Sequence, residues 1–181
     1  MGLPYGFRSK ANAFARKARS GLGLPATAPL SPLRLATNMG IAVAPLSSFA
    51  SECESAVRHL MKVDHRAFSA GTFRLGGRTL MVFNDANHED RQTSDLAHEL
   101  AHVILEHPML PILDDRGCRH FDKNLEEQAN WLGPALLISE EAALHIARQG
   151  WTIEQAAAEY QVTAEVARFR LNVTAAHRRV A

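Results

Sequence analysis

Two histidines one helical turn apart, with a glutamate beside the first, occupy the stretch Leu96-Ala97-His98-Glu99-Leu100-Ala101-His102-Val103-Ile104-Leu105. Every residue in it is compatible with a helix, and neither Gly nor Pro interrupts it. On a helix, residues four apart lie one above the other, so His98 and His102 present two imidazoles on one face. Two neutral imidazoles at that spacing suit one Zn²⁺, and Glu99 stands where it can take a proton from water activated there. The same short pattern also arises by chance on core helices. A site therefore needs a third donor.

Five downstream residues are candidates: Asp114, Asp115 and His120 in the loop spanning 110–122, and Glu126 and Glu127 beyond it. The long pattern H-E-x-x-H-x-x-G-x-x-H is excluded, because Leu105 replaces its Gly and Pro108 its third His. His107 falls five residues after His102, half a turn off the ligand face, and reads as a surface residue. A peptide deformylase shares H-E-x-x-H but needs an upstream Cys in a Glu-Cys-Leu-Ser-like strand, which is missing here. There remains Glu126-Glu127-Gln128-Ala129-Asn130, where the small Ala129 lets its helix approach the His98 helix closely. One turn separates Glu126 from Asn130. Glu126 can thus reach a metal while Asn130 accepts a bond from a ligand imidazole, the kind of partner that fixes a ligand's tautomer.

The pattern of His98-Glu99-Leu100-Ala101-His102, followed by Glu126-Glu127-Gln128-Ala129-Asn130 and then Trp131-Leu132-Gly133-Pro134-Ala135-Leu136-Leu137-Ile138-Ser139, resembles the ImmA/IrrE family of zinc metallopeptidases. The likeness covers most of the chain, including the segment 30–46 and the strands ahead of the motif. It departs from the family where Ile138-Ser139 replaces a usual Met-Pro, which reads as a changed helix end and not a changed site. The resemblance implies zinc on His98, His102 and Glu126, with Glu99 as catalytic acid and base. It also implies a regulatory endopeptidase whose protein substrate is a helix-turn-helix repressor. His120 is a candidate oxyanion donor, although a structural role is the plainer reading, and Cys118 is a weaker candidate for an inhibitory thiolate.

Other elements must position these residues. Apolar residues interleaved with Arg and Lys predict an amphipathic first helix over 7–22 with its charges solvated, followed by a Pro-rich linker. Ser31-Pro32 opens a short helix, 41–45 is a short strand, and a helix is expected over 48–62 with Cys53 buried. Strands at 71–75 and 78–84 flank Gly76-Gly77, a two-residue hairpin signal, and their open edge could hold an extended peptide. A polar loop is expected over 84–94, with Ser94 or Thr93 capping the motif helix and Asp95 just ahead of it. Beyond the motif, helices are predicted at 124–138, 140–149, 152–160 and 163–172, and the basic tail 175–181 is expected to fray. The fold class expected is α+β and mostly helical: a zincin-like (gluzincin) core over 1–149 and a C-terminal helical, helix-turn-helix-like subdomain over 150–181.

In that subdomain Ala157 and Val162 are the core positions, and Gln161 stands where a Gly normally makes the turn. Arg168, Arg170, Arg178 and Arg179 could meet DNA phosphates, but a packing unit is favoured because the chain's net charge is only +1. Apolar content of 46% and 22% charged residues fit a globular protein with no membrane partner, since no apolar run approaches eighteen residues. Two cysteines, Cys53 and Cys118, are too few for a disulfide framework and suit a reducing cytoplasm. The basic, run-free N-terminus is not expected to be a signal peptide, and Gly6 breaks the myristoylation pattern. Two readings follow: a zinc endopeptidase acting on a regulatory protein, or a non-proteolytic zinc-containing binding module associated with a repressor or with DNA. Glu99 favours the first, because a purely structural metal has no need of a carboxylate beside it.

Overall fold

The computed structural model describes residues 2–108 and 122–180. Helix α1 (Phe7–Gly21) turns a stripe of Phe7, Ala11, Ala15 and Arg19 into the core. Helix α2 (Pro32–Asn38) starts as expected, with Ser31 accepting from the Arg34 N–H and Pro32 in the first turn. Strand β1 (Ala42–Pro45) follows, then a 3₁₀ turn at Leu46–Phe49, helix α3 (Ala50–Arg58) and one π-turn at His59–Val63. The single helix expected over 48–62 is thus broken into three pieces. Cys53 has non-helical φ −141°, ψ 52° inside α3 and is exposed, contrary to the expectation of burial.

Strands β2 (Ala70–Leu75) and β3 (Arg78–Phe83) form the predicted hairpin, with Gly76 and Gly77 both at positive φ as its two-residue turn requires. The sheet order is β1-β3-β2, with β1 parallel and β2 antiparallel to the central strand, so among the described residues β2 is an edge. Asn84, fully buried, closes the hairpin's far end by donating to the Leu60 and Phe68 carbonyls at 3.0 Å each.

Helix α4 (Glu89–Ile104) carries the motif and begins earlier than expected. Its cap is His88, which accepts from the Asp90 N–H, so neither Thr93 nor Ser94 caps it and Asp95 lies inside it. Residues 89–95 hold no apolar periodicity, and only Glu89 and Asp90, favourable to the helix dipole, mark the start. Helix α5 (Lys123–Leu137) is capped by Asp122, whose carboxylate accepts from the Asn124 and Leu125 N–H groups. It is followed by α6 (Glu140–Arg148), α7 (Ile153–Tyr160), α8 (Ala164–Val173) and α9 (Ala176–Val180). Ser139 caps α6, a Thr152–Gln155 capping box opens α7 and Thr163 caps α8. Gln161 makes the α7–α8 turn at φ 51°, ψ 50°. Val162 is buried there as expected, whereas Ala157 is only half-buried and Ala156 and Tyr160 go deepest. The tail does not fray: Ala176 is buried and Arg179 pairs with Glu140.

The chain is therefore α+β and mostly helical with a small three-stranded sheet. Among the described residues, no helix is long and apolar enough to cross a membrane. One apolar cluster joins α1, α2, Met81 of β3, α4 and α5; a second joins Ala97, Leu137 and Ile138 to α6–α9. The 149/150 boundary drawn from sequence falls inside this second cluster.

Two arginines read from sequence as solvated or phosphate-facing are in the interior. Arg19, 1% exposed, donates to the carbonyls of Ala15, Ala28 and Leu137. Arg170, 0% exposed, donates to the Ile138 carbonyl at 2.8 Å and lies over the Trp131 ring. Both serve the C-terminal end of α5, whose last carbonyls lack intrahelical donors and carry partial negative charge. Burial, only partly offset by the carboxylates of Glu140 and Glu141, lowers the Arg170 guanidinium to about 10. Arg168 and Arg178 remain exposed. Arg170→Ala is expected to cost about 2–4 kcal/mol, the sum of a charge-assisted hydrogen bond and a buried cation–π contact. Arg168→Ala, on the same helix, should change stability by no more than about 0.5 kcal/mol. Thermal unfolding of the two variants checks the contrast.

Candidate metal centre

Glu126, Ala129 and Gly133 follow each other at i, i+3 and i+7 on α5 and so share one face. That face meets α4 where α4 is also thin, at Ala97 and Ala101, both fully buried. A Cβ placed on Gly133 would stand 3.1 Å from the backbone N and Cα of His98 and 3.2 Å from the carbonyl carbon of Ala97. The sequence points to Ala129 as the small residue permitting close approach; Gly133, against the His98 backbone, is a further one that the sequence reading does not single out. The consequence of this proximity is positional. Glu126, two turns back along the face, lies opposite the two imidazoles.

His98, His102 and Glu126 bring one donor atom each to within 4.8 Å of one another. The Nε2 atoms of His98 and His102 are 3.1 Å apart. Glu126 Oε2 lies 3.2 Å from the His98 Nε2, and Oε1 lies 3.6 Å from the His102 Nε2. Donors held about 2.1 Å from one tetrahedral ion are roughly 3.4 Å apart, and the imidazole pair, and each imidazole with its nearest Glu126 oxygen (a different oxygen for each), lie close to that spacing. The set is two imidazoles and a carboxylate, three protein ligands that leave a fourth position for water or substrate. These side chains could hold a divalent metal such as zinc.

The charges fit the same picture. Hydrogen bonds from His102 and His98 hold the Glu126 carboxyl far below the usual carboxylate range, against the opposing effect of burial. Burial works against a charged His98, but its hydrogen bond to Glu126 and the carboxylates of Glu99, Glu126 and Asp95 outweigh it and raise its pKa. Burial also raises Asp95, one turn before His98, although Arg91 pulls it back down. The cluster is a place where positive charge is stabilised.

Glu99 is half-buried beside the donors, and its Oε2 accepts a 2.7 Å hydrogen bond from the hydroxyl of Thr72 on the edge strand β2. Thr72 was not visible as a site residue, since only the fold brings β2 over α4. His107 was read as a surface residue. In the structure it is half-buried, with its Nδ1 2.9 Å from the Nδ1 of His102. Asn130 is exposed one turn beyond Glu126 and makes no hydrogen bond to either imidazole among the described residues. Glu127 points instead to a cleft shared with residues 2–9. His120, Asp114, Asp115 and Cys118 lie outside the described residues.

Gly133→Ala must push α4 and α5 apart, since the new methyl meets backbone and not a flexible side chain. The expected cost is about 1–3 kcal/mol of stability, together with weaker metal uptake as Glu126 moves off the imidazoles. Thermal unfolding and metal titration of the variant test both effects. A second prediction concerns the metal-free protein. Glu126 is lowered from 4.5, so its contribution is complete above that value and lost as pH falls through the folded pKa. His98 is raised from 6.5, so its contribution is present below that value and lost as pH rises through the folded pKa. The unfolding-temperature gap between the parent and Glu126→Gln, both metal-free, should be widest between these two values and shrink above neutrality.

Comparison with known proteins bears on the same residues. The family model for peptidase M78, described as the IrrE N-terminal-like domain, matches residues 55–172. No curated protein matches the chain. The matched span runs from within α3 almost to the end of α8, and so takes in the hairpin, both donor helices and the three donors. This chain belongs to the IrrE N-terminal-like family of metallopeptidases, the ImmA/IrrE family that its residues resemble.

Proposed function

We propose that the protein is a zinc-dependent endopeptidase with a zincin-like core, that His98, His102 and Glu126 hold the metal, and that Glu99 is the general base. The observation that carries this reading is the convergence of the two imidazoles and the Glu126 carboxylate, one ligand atom of each within 4.8 Å of the others, with Glu99 beside the first histidine on the same helix. A zinc ion supplies Lewis acidity there, bringing water into the titration range near pH ~7 and polarising the scissile carbonyl. Glu99 takes the water proton on one carboxylate oxygen and delivers it to the leaving amine. Thr72 holds the other orientation of that carboxylate by donating to Oε2. Among the described residues β2, which carries Thr72, pairs only with β3, so its other side could take an extended substrate chain next to the base.

The substrate is a protein, as a peptidase family requires. The resemblance to the ImmA/IrrE family supports a regulatory protein, a helix-turn-helix repressor, encountered in the cytoplasm. Glu99→Gln preserves size and hydrogen bonding and removes the base. The variant should keep its zinc while hydrolysis of a helix-turn-helix repressor encoded beside it falls by about 10²–10⁴-fold. Cleavage near the parent rate rules Glu99 out as the base. Relief of repression by Glu99→Gln with the repressor still intact supports the non-proteolytic binding module instead.

A further inference from the structure

The end of α4 is made without glycine. After Ile104 the chain passes through Leu105 into Glu106, which takes left-handed φ 56°. The Glu106 N–H bonds the Val103 carbonyl at 3.1 Å, and the His107 N–H bonds the His102 carbonyl at 3.0 Å. This pair of bonds is the Schellman closure, usually built on Gly, and it folds the chain back over the helix's last turn. The residue returned to that turn is His107. Its ring meets the His102 ring edge to face, with centroids 4.9 Å apart, and the two Nδ1 atoms are 2.9 Å apart.

A neutral imidazole carries one proton on two nitrogens, so whatever its Nδ1 does decides whether Nε2 has a lone pair to give. The Nε2 of His102 is turned to His98 and Glu126, leaving Nδ1 as its other polar atom. Two Nδ1 atoms at 2.9 Å share a single proton, donated by one ring and accepted by the other. We propose that His107 is the positioning residue for His102, accepting its Nδ1–H on Nδ1 and so leaving the His102 Nε2 lone pair free for the metal. The proposal rests on the reading of His98, His102 and Glu126 as metal donors. It gives the tautomer-fixing role to His107, five residues downstream on the same chain segment, in place of the sequence-based candidate Asn130. It also gives the left-handed Glu106 a purpose, because helical φ at that residue would carry His107 away from His102.

Nitrogen-15 spectra of the zinc-loaded, histidine-labelled protein read the bond directly. The His102 Nδ1 should be protonated, the His107 Nδ1 bare, and a nitrogen–nitrogen coupling should run across the hydrogen bond between them. Zinc titration against a competing chelator gives a second readout. His107→Phe keeps a ring without an acceptor and should bind zinc about 10–100-fold more weakly. His107→Gln restores a side-chain acceptor and should recover most of that loss. Circular dichroism of the metal-free variants establishes that both are folded, and the spectra of the parent stand even if one is not. A protonated His107 Nδ1, or parent-like zinc affinity in a folded His107→Phe, overturns the proposal. Zinc affinity as low in His107→Gln as in His107→Phe overturns it too. If instead His98→Ala and His102→Ala take up zinc as tightly as the parent, it is the metal-centre reading that fails.

Discussion

The site depends on how closely two helices can approach. An imidazole pair at i and i+4 needs nothing beyond a regular helix, but a carboxylate from a second helix reaches it only if the two backbones come nearly into contact. Gly133 against the His98 backbone, with Ala129, Ala97 and Ala101 around it, makes that approach. Neighbouring features secure it: Pro134 follows Gly133 inside α5 without breaking it, and the helix's far end is tied down by Arg19 and Arg170 through the carbonyls of Leu137 and Ile138. Arg19 reaches in from α1 and Arg170 from α8, so elements at both ends of the chain fix the helix that carries Glu126.

The electrostatics follow from this packing. Glu126, held near two imidazoles by the helix crossing, is stabilised as an anion, and it favours in turn the charged form of His98. A metal ion held by these side chains would compete with imidazole protons, so its uptake would release protons. Glu99 adds its charge to the same bias on His98 but has a separate partner. It lies on the adjoining face of α4, and its Oε2 accepts from the hydroxyl of Thr72, so its orientation is set by the sheet.

Much of this was legible in the sequence because it is written in local chemistry. The H-E-x-x-H spacing, the Gly76-Gly77 hairpin and the Ser31-Pro32 helix start each rest on interactions within a few residues. What was missed needed a distant partner or a departure from a local rule. The early start of α4 is hidden by the polar run 89–95, which has no periodicity to detect. Arg19 and Arg170 look like surface cations until the carbonyls they serve, 118 and 32 residues away, are known. Cys53 is turned outward by a backbone break that its neighbours do not announce. Thr72 becomes a site residue only through the packing of β2 on α4.

The departures from local rules that bear on function are not scattered. A glycine and a proline in mid-helix, a non-glycine residue in the left-handed region, and two buried guanidinium groups are each unfavourable in isolation. All of them act on α4, α5 or the turn that ends α4. A sequence selected only for stability would replace Gly133 by alanine and end α4 with a glycine at position 106. The first change would drive Glu126 from the imidazoles, whereas the second would leave the same turn at lower cost. Gly133 is thus retained by the geometry of the site. The glutamate at 106 is therefore not required by the turn itself, and its side chain is exposed four residues past His102.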